Sequence, residues 1–381
     1  MKRLFSALFA LMTVLSMISC SASGDGGQDM QAPETGGIKT GGVSDLLSSS
    51  ETKDWVVGIM SVNFDDTHLA NVRGVMIKLC ELEGMECIVA DGKNDLQTSL
   101  DHLESFISQK VDVAAVTGLS RESFADVIEM FGEADIPVIF CGGVSPDDSE
   151  MKGYKHVYFA GSAVEESGII HAEQSVVYWN ANKEKADKNQ DGKFGYVMMT
   201  GPSGGYGAEM WTIDTATREG LDMLLVAQEN GEWNVQTAYE KMTAVIDDFQ
   251  DEIEVVFCSN DDMAIGCINA LKNAGFFDGT DEKYIPVFGV DVTGAGIEEI
   301  RNGIMLASTL NDPVAVGYAV IAIAKSLRDF GSEKTITGAQ MNSAFARMSE
   351  FGIDIDPDFN RVWTHYKLIT AANCDDISFE P

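Results

Sequence analysis

The sequence predicts an α/β protein made of two Rossmann-like halves with parallel sheets. Apolar strands alternate with amphipathic helices, and the strands are too many for one comfortable sheet. Such alternation produces parallel sheets through right-handed crossovers. In addition, polar residues follow several strand ends, as in CSNDD, GVD and STLND. Parallel sheets bind small molecules there, in the crevice outside the carboxyl ends of the strands.

The alternation begins at Trp55 and divides into two series. The first has strands WVVGIMSV, ECIVA, VDVAAV and IPVIFCG, with helices near 68–83, 96–110 and 123–134. The second has strands HVYFAG, FGYVMMT, LLVAQ, IEVVFCS, IPVFGV and MLASTL, with helices near 163–180, 208–221, 235–249, 262–274, 296–302 and 314–330. No strand is followed by GxGxxG and no GxxxxGK[ST] occurs, so dinucleotide and P-loop sites are not indicated.

The amino terminus, Met1–Cys20, has the layout of an export signal: two basic residues, a short apolar run and then Ser-Cys. The apolar run is too short to span a bilayer comfortably. The Ser-Cys pair resembles the lipobox of bacterial lipoproteins, which implies lipidation at Cys20, although Met17 stands where that family usually has Leu. An ordinary signal peptide is the alternative. Residues 21–54 are rich in Gly and Ser, which predicts a flexible tether.

The amino-acid composition bears on the binding partners and on the roles of the cysteines. The chain has 60 acidic residues against 26 basic ones, which argues against binding nucleic acid or anionic lipid headgroups. Besides Cys20 there are six cysteines, without CxxC pairs or Cys/His metal spacing. Most lie in apolar patterns, where they fit small buried side chains. A Cys80–Cys87 bridge across a helix-to-strand turn is an alternative.

Six segments carry a family resemblance: VVGIMSVNFDD (56–66), YFAGSAVEESGII (158–170), DKNQDG (187–192), IEVVFCSNDDMAIGCINALK (253–272), IPVFGVD (285–291) and STLND (308–312). With these motifs the chain resembles type I periplasmic sugar-binding proteins, closest to the glucose/galactose-binding branch. The resemblance extends from about residue 55 to 330, and the block from 253 to 312 is its most specific part.

This resemblance implies two lobes joined by a hinge of three strands, with a sugar held between them. It places 55–141 and 311–335 in lobe one, and 142–310 and 336–381 in lobe two. It also implies a monomer that performs no chemistry, whose closed form docks on an ABC permease and, in some members, on a chemoreceptor.

The resemblance assigns seven residues to the sugar site: Asp66, His68, Thr117, Trp233, Asn260, Asp291 and Asn311. Carboxylates and amides suit adjacent hydroxyls, and aromatic rings cover the C–H faces of a sugar. Each residue also has an ordinary structural interpretation. Asp66 and Asn260 can cap helices, His68 can be a helix-surface residue, Trp233 can cover a lobe edge, and Asn311 can form a turn.

The chain departs from the glucose/galactose branch in the loop GPSGGYG. Gly205 and Gly207 stand where those relatives have a His and an Asp for the sugar, and Trp211–Thr217 contains no Arg to contact the ring. Trp211 is an alternative cleft residue. These losses leave the identity of the sugar open. Because a glycine-rich loop before a helix can receive an anion, a phosphorylated sugar is an alternative ligand.

The segment DKNQDG resembles the first half of an EF-hand calcium loop. The implied ligands are Asp187, Asn189, Asp191, the Lys193 backbone and, by family resemblance, Glu254. Two departures weaken the pattern. Position twelve is Met198 rather than Glu, and Gly195 replaces a Gln ligand of the relatives. The alternative is a plain Asx-rich turn.

Two other functions compete with sugar binding. A nucleoside-binding lipoprotein has the same fold and anchor, and would stack its base between aromatic rings. An α/β enzyme is the alternative from another class, since Cys141 and Cys258 lie at strand ends. Neither has an evident His partner and no GxSxG motif occurs, so we expect no catalysis.

Overall fold

The structure, a computed structural model, describes residues 55–202, 207–331, 352–356 and 360–377. The strands are β1 Val56–Ser61, β2 Glu86–Asp91, β3 Val113–Thr117, β4 Val138–Cys141, β5 Val157–Ser162, β6 Phe194–Thr200, β7 Met223–Asn230, β8 Val255–Cys258, β9 Val287–Val290, β10 Ala307–Leu310, β11 Asp354–Asp356, β12 Arg361–Thr364 and β13 Lys367–Ile369. The helices are α1 Thr67–Leu82, α2 Leu96–Gln109, α3 Phe124–Ala134, α4 Asp148–Met151, α5 Val164–Ala186, α6 Ala208–Arg218, α7 Val235–Phe249, α8 Asp261–Asn273, α9 Gly294–Arg301 and α10 Pro313–Phe330.

The first lobe is built on a sheet of order β11-β12-β5-β4-β3-β1-β2, parallel except at the β11–β12 pair. Its central strands are apolar on both faces; every residue of β3, for example, is buried. Helices α1 and α10 pack on one face of this sheet, and α2 and α3 on the other. The sheet therefore lies between two apolar layers.

The second lobe repeats this arrangement on a sheet of order β13-β10-β9-β8-β6-β7, in which only β13 runs antiparallel. Helices α7 and α8 cover one face, and α5 and α6 cover the other. Both sheets are sandwiched by helices, so the predicted fold of two Rossmann-like lobes is confirmed.

The chain crosses between the lobes three times in the described residues. It leaves β5 for α5 at residues 162–164, returns from β10 to α10 at 310–313, and leaves β12 for β13 at 364–367. These three short crossings form the hinge that the resemblance implied.

The predicted lobe boundaries need correction. The division after residue 141 assigned β5 to the second lobe, whereas β5 pairs with β4 in the first sheet. Residues 361–364, assigned to the second lobe, pair with β5 in the first sheet as well. A strand's own residues predict that it is extended, but the strand it pairs with is decided by tertiary packing.

Several predictions concern residues outside this description. The export signal, its lipidation at Cys20 and the tether at 21–54 all precede residue 55. Among the helices of the described ranges, none combines the length and the apolar character that a membrane span requires. Cys80 and Cys87 are both free thiols here, so the bridge between them is not formed.

Candidate functional site

A cleft lies where the carboxyl ends of the strands in the two lobes face each other. Six of the seven residues predicted from sequence line it: Asp66, His68, Trp233, Asn260, Asp291 and Asn311. The space between its walls is about 740 Å³, part of it open to solvent. That volume lies in the usual range for small-molecule sites.

Asp66 and His68 form the first-lobe wall at the start of α1. Asp66 is the N-cap of this helix, and its Oδ1 accepts a hydrogen bond from the Leu69 backbone N–H at 2.7 Å. The His68 Nε2 accepts from the Asn311 Nδ2 at 3.1 Å, which leaves the ring proton on Nδ1, 3.5 Å from the Asp291 Oδ1. These two side chains fix the orientation of the imidazole.

Asn260 and Asp291 follow two neighbouring strands of the second sheet. Asn260 caps α8, since its Oδ1 accepts from the Met263 backbone N–H at 2.9 Å, and it is nearly buried. Asp291 has a φ of +95°, in the left-handed half of backbone space that disfavours a side chain. Such strain costs about 1–3 kcal/mol and persists only where surrounding contacts hold it. Here the strained turn holds the Asp291 side chain in the cleft wall.

Asp261 supplies these contacts, and sequence reasoning did not single it out. It is fully buried, and its Oδ2 accepts from the Thr293 backbone N–H at 2.7 Å. Its Oδ1 accepts from the Ser308 Oγ at 2.7 Å. Asp261 therefore ties β10 and the start of α9 around the turn that carries Asp291.

Asn311 connects the cleft to the hinge. Ser162, Asn311 and Thr364 stand on the three crossings between the lobes. The Ser162 Oγ lies 3.4 Å from the Asn311 Oδ1 and 2.6 Å from the Thr364 Oγ1. Because Asn311 also bonds His68 and Asp291, one chain of hydrogen bonds joins both lobe walls to all three crossings.

Trp233 forms an aromatic part of the second-lobe wall. It follows β7 in a turn where Glu232 and Trp233 both have positive φ, near +55°. Its ring lies against Gly201, where an added Cβ would come within 1.9 Å of the indole. Only glycine permits this approach, so Gly201 sets the position of the ring.

Thr117 is the sequence-predicted residue that the structure does not place at the cleft. It is 1% exposed at the end of β3, and its Oγ1 donates to the Met60 carbonyl oxygen at 3.1 Å. It also bonds the Ser61 hydroxyl at 3.1 Å. These hydrogen bonds connect β3 to β1, and we therefore remove Thr117 from the predicted sugar contacts.

A direct hydrogen bond also joins the lobes. The Thr67 Oγ1, at the start of α1, lies 3.0 and 3.2 Å from the two carboxylate oxygens of Asp262, at the start of α8. This bond therefore connects the start of α1 to the start of α8 across the cleft.

Burial decides the protonation of the cleft residues. It raises the pKa of Asp66, against the lowering effect of the Leu69 N–H bond. Burial, then the charges of Asp66 and Asp262, raises the pKa of Asp291 well above its ordinary value. Burial lowers the pKa of His68 despite the nearby Asp66 and Asp312 carboxylates, so the imidazole is neutral at neutral pH.

A second cavity opens beside the cleft inside the second lobe. It shares Ser259, Val290 and Tyr366 with the cleft and adds Glu209 and His171. The Glu209 carboxylate accepts from the Ser259 hydroxyl and, at 3.1 Å, from the Gly207 N–H. Sequence reasoning missed Glu209 and Tyr366. The signal available for Glu209 was its place in the first turn of α6, after the loop that departs from the relatives.

Residues 57–333 match the family model described as a periplasmic binding protein domain. The chain belongs to this family. The D-galactose/methyl-galactoside binding periplasmic protein MglB of Haemophilus influenzae is 26% identical over 314 residues, 81% of this chain and 92% of that relative. The xylitol-binding protein of Mycolicibacterium smegmatis is 23% identical over 76% of each chain. The crystal structure of a Mycobacterium smegmatis protein in complex with β-D-fucofuranose has a TM-score of 0.68 at 20% identity, covering 84% of this chain and 93% of that one.

This membership confirms the resemblance seen in the motifs and the type I periplasmic binding protein fold. The relatives are binding proteins rather than enzymes. The binding protein thus belongs to a class that holds a small molecule without transforming it.

The DKNQDG segment of the binding protein forms a compact turn next to Glu254. The Asn189 Oδ1 accepts from the Asp191 N–H at 3.0 Å, and the Asp187 Oδ2 accepts from the Gly192 N–H at 3.1 Å. The buried Glu254 accepts from the backbone N–H of Lys188 at 2.5 Å. The Asp187 Oδ1 is buried without a hydrogen-bond partner, and an orphaned anionic oxygen of this kind suits a cation. The acidic, His and Cys side chains of the described residues do not themselves form a ready-made group of three around a metal.

Proposed function

We propose that this periplasmic binding protein captures a monosaccharide, a glucose- or galactose-like hexose or a related sugar, and delivers it to the membrane subunits of an ABC importer. The observation that carries this proposal is the convergence of Asp66, Asn260, Asp291 and Asn311 on one cleft between hinged lobes. Carboxylates and amides can each bond adjacent sugar hydroxyls, and the Trp233 ring offers an apolar surface for the C–H face. The printed names of two relatives, which bind galactosides and xylitol, support a polyhydroxylated ligand.

The lining of the cleft supports a sugar without a phosphate group. No lysine or arginine belongs to the described lining of the cleft, whereas Asp66 and Asp291 do. A phosphorylated sugar, the alternative suggested by the glycine-rich loop, would bring an anion to a lining that has no lysine or arginine to pair with it, and is disfavoured. His68 is held by Asp291 and Asn311, so polar recognition, rather than stacking, is its role.

The proposal also places the protein at the cell surface, on the basis of Cys20 and the segment 21–54. We expect lipidation at Cys20 to anchor the exported protein, and the segment to act as a tether for the folded body. The closed lobes would then dock on the permease and, as in some members of the family, on a chemoreceptor. We expect the protein to act as a monomer.

The proposal is tested by calorimetry on the tether-free body, after a thermal-shift screen of monosaccharides, polyols and nucleosides. The substitutions Asp291→Ala and Asn260→Ala should each weaken sugar binding by about tenfold or more, because each removes a buried polar contact worth about 1.5–3 kcal/mol. Asp247→Ala and Asn273→Ala, on exposed helical positions of the same lobe, are matched controls.

Two results would contradict the proposal. Unchanged sugar affinity in both cleft variants would show that the sugar binds elsewhere. Binding of guanosine or inosine in place of every sugar would select the nucleoside-binding alternative.

We also propose that Ca²⁺ occupies the DKNQDG turn in a structural role. Asp187, Asn189, Asp191, the Lys193 carbonyl and Glu254 would hold it, and the unpartnered Asp187 Oδ1 supports this assignment. A cation that binds only the folded state raises its stability by mass action.

Melting curves in chelator and in excess calcium test the metal site. We expect calcium to raise the melting temperature of the parent protein but not that of Asp187→Ala. The exposed Asp278, which bonds Thr280 in a similar turn, gives the control variant Asp278→Ala. Identical melts of the parent under both conditions would contradict the assignment.

A further inference from the structure

Three carboxyl groups line the cleft and its adjoining cavity. Asp66 and Asp291 line the cleft and Glu209 lines the cavity, while no described lining residue of either is a lysine or arginine. The described lining therefore contains no lysine or arginine to pair with these carboxyl groups.

Two basic side chains near the site interact with other protein groups behind the walls of the cleft. The Arg73 guanidinium lies 3.8 Å from the centre of the Phe64 ring, where it acts on Asp91 and Asp66. Lys367 pairs with Asp312 at 3.3 Å. Neither cation belongs to the lining of the two spaces.

The two histidines of the site supply no positive charge at neutral pH. His171 donates from Nε2 to the Gly289 carbonyl oxygen at 3.0 Å, and burial lowers its pKa to about 4. His68 is also neutral, because burial lowers its pKa. No cationic side chain of the described lining therefore faces Glu209 in the cavity.

We propose that the ligand is a hydroxylated ring bearing a protonated amino group, with the Glu209 carboxylate as the partner of that ammonium. This inference rests on the proposed sugar-binding function. An ammonium has three N–H donors, and charge-assisted hydrogen bonds are about twice as strong as neutral ones. The Tyr366 ring lines the cavity together with Glu209 and adds a face that attracts a cation.

Glu209 is placed to discriminate between ligands. It lies at the cavity side of Ser259, which both spaces share, so the carboxylate lines a space that adjoins the cleft. Both of its oxygens already accept from protein donors, which orient the carboxylate. A carboxylate oxygen has a second lone pair for the ligand.

Calorimetry with three matched pairs tests this inference at mildly acidic pH: glucose and glucosamine, galactose and galactosamine, mannose and mannosamine. We expect the amine to bind about tenfold tighter in at least one pair and glucuronate not to bind. The substitution Glu209→Gln should remove that preference while leaving the neutral sugar within about threefold. Glu240→Gln, at an exposed position of α7, is the matched control.

The outcomes separate this inference from the function on which it rests. If neutral sugars bind more tightly than their amines in every pair, the inference fails and the sugar-binding function stands. If Glu209→Gln weakens both members of a pair equally, the carboxylate does not discriminate and the inference also fails. If neither sugars nor amines bind, the proposed function itself is overturned.

Discussion

Replacing Thr67 with Val should open the lobes. The Thr67 hydroxyl bonds both carboxylate oxygens of Asp262 across the cleft, at 3.0 and 3.2 Å. Valine keeps the shape of the side chain and its β-branching but removes the donor. In the open state both groups are hydrated, so the substitution weakens only the closed state.

The magnitude follows from the geometry of this contact. One hydroxyl hydrogen is shared between two oxygens, and both residues are only half-buried, so the bond contributes about 1 kcal/mol rather than the larger value of a buried charged pair. That energy shifts the ratio of closed to open molecules about fivefold. Since the ligand requires the closed state, its dissociation constant should rise by up to the same factor.

Thr98→Val provides the matched control. The Thr98 hydroxyl bonds the Asp95 carboxylate at 2.7 Å, but both residues lie at the start of α2 within one lobe. Small-angle X-ray scattering of the ligand-free protein should show a larger radius of gyration for Thr67→Val alone, and calorimetry should show weaker sugar binding. Identical scattering and affinity for the two variants would refute the role of this bond in closure.

Two further substitutions test the packing and the charges behind the cleft. Gly201→Ala should reduce sugar affinity about tenfold by displacing Trp233, whose ring leaves no room for a Cβ. The control Gly74→Ala, in open space on α1, should leave binding unchanged. Equal calorimetric affinities of the two variants for the sugar would contradict the prediction. Burial raises the pKa of Asp261 to about 8, so the folded state keeps a proton that the unfolded chain loses. Its contribution to stability is fully present below the ordinary Asp pKa and is lost by up to about 1.4 kcal/mol per pH unit as pH rises towards about 8. The free energy of unfolding of Asp261→Asn, measured in urea across this pH range, should decline less steeply with pH than that of the parent. An equal dependence on pH in the two proteins would contradict the assignment.

The sequence predicted the strands and helices well because their patterns are local. The central strands are buried on both faces and so read as continuous apolar runs, while amphipathic helices separate them. The local sequence of β5 did not indicate which strand it pairs with. Its six buried residues fit either lobe, and only the structure shows that it pairs with β4.

The candidate site was predictable where a strand end carried a recognisable motif. Asn260 and Asp291 belong to such motifs, and both line the cleft. Thr117 also stands at a strand end, but whether its hydroxyl faces a ligand or a neighbouring strand depends on register, and it bonds the Met60 carbonyl. Tyr366 comes from the third crossing, far along the chain from the motifs, so spacing gave no indication of its role.

The hinge network explains how a small ligand can control the arrangement of both lobes. A ligand that bonds Asp291 or His68 contacts side chains already linked to Asn311, and through Asn311 to Ser162 and Thr364 on the other two crossings. Closure therefore needs no long pathway through the lobes, because the cleft walls and the hinge share one set of hydrogen bonds. The same sharing means that a change at the hinge alters affinity without contacting the ligand. A ligand can shift closure only by the free energy with which it prefers the closed walls, and those walls are where the polar groups of this cleft converge.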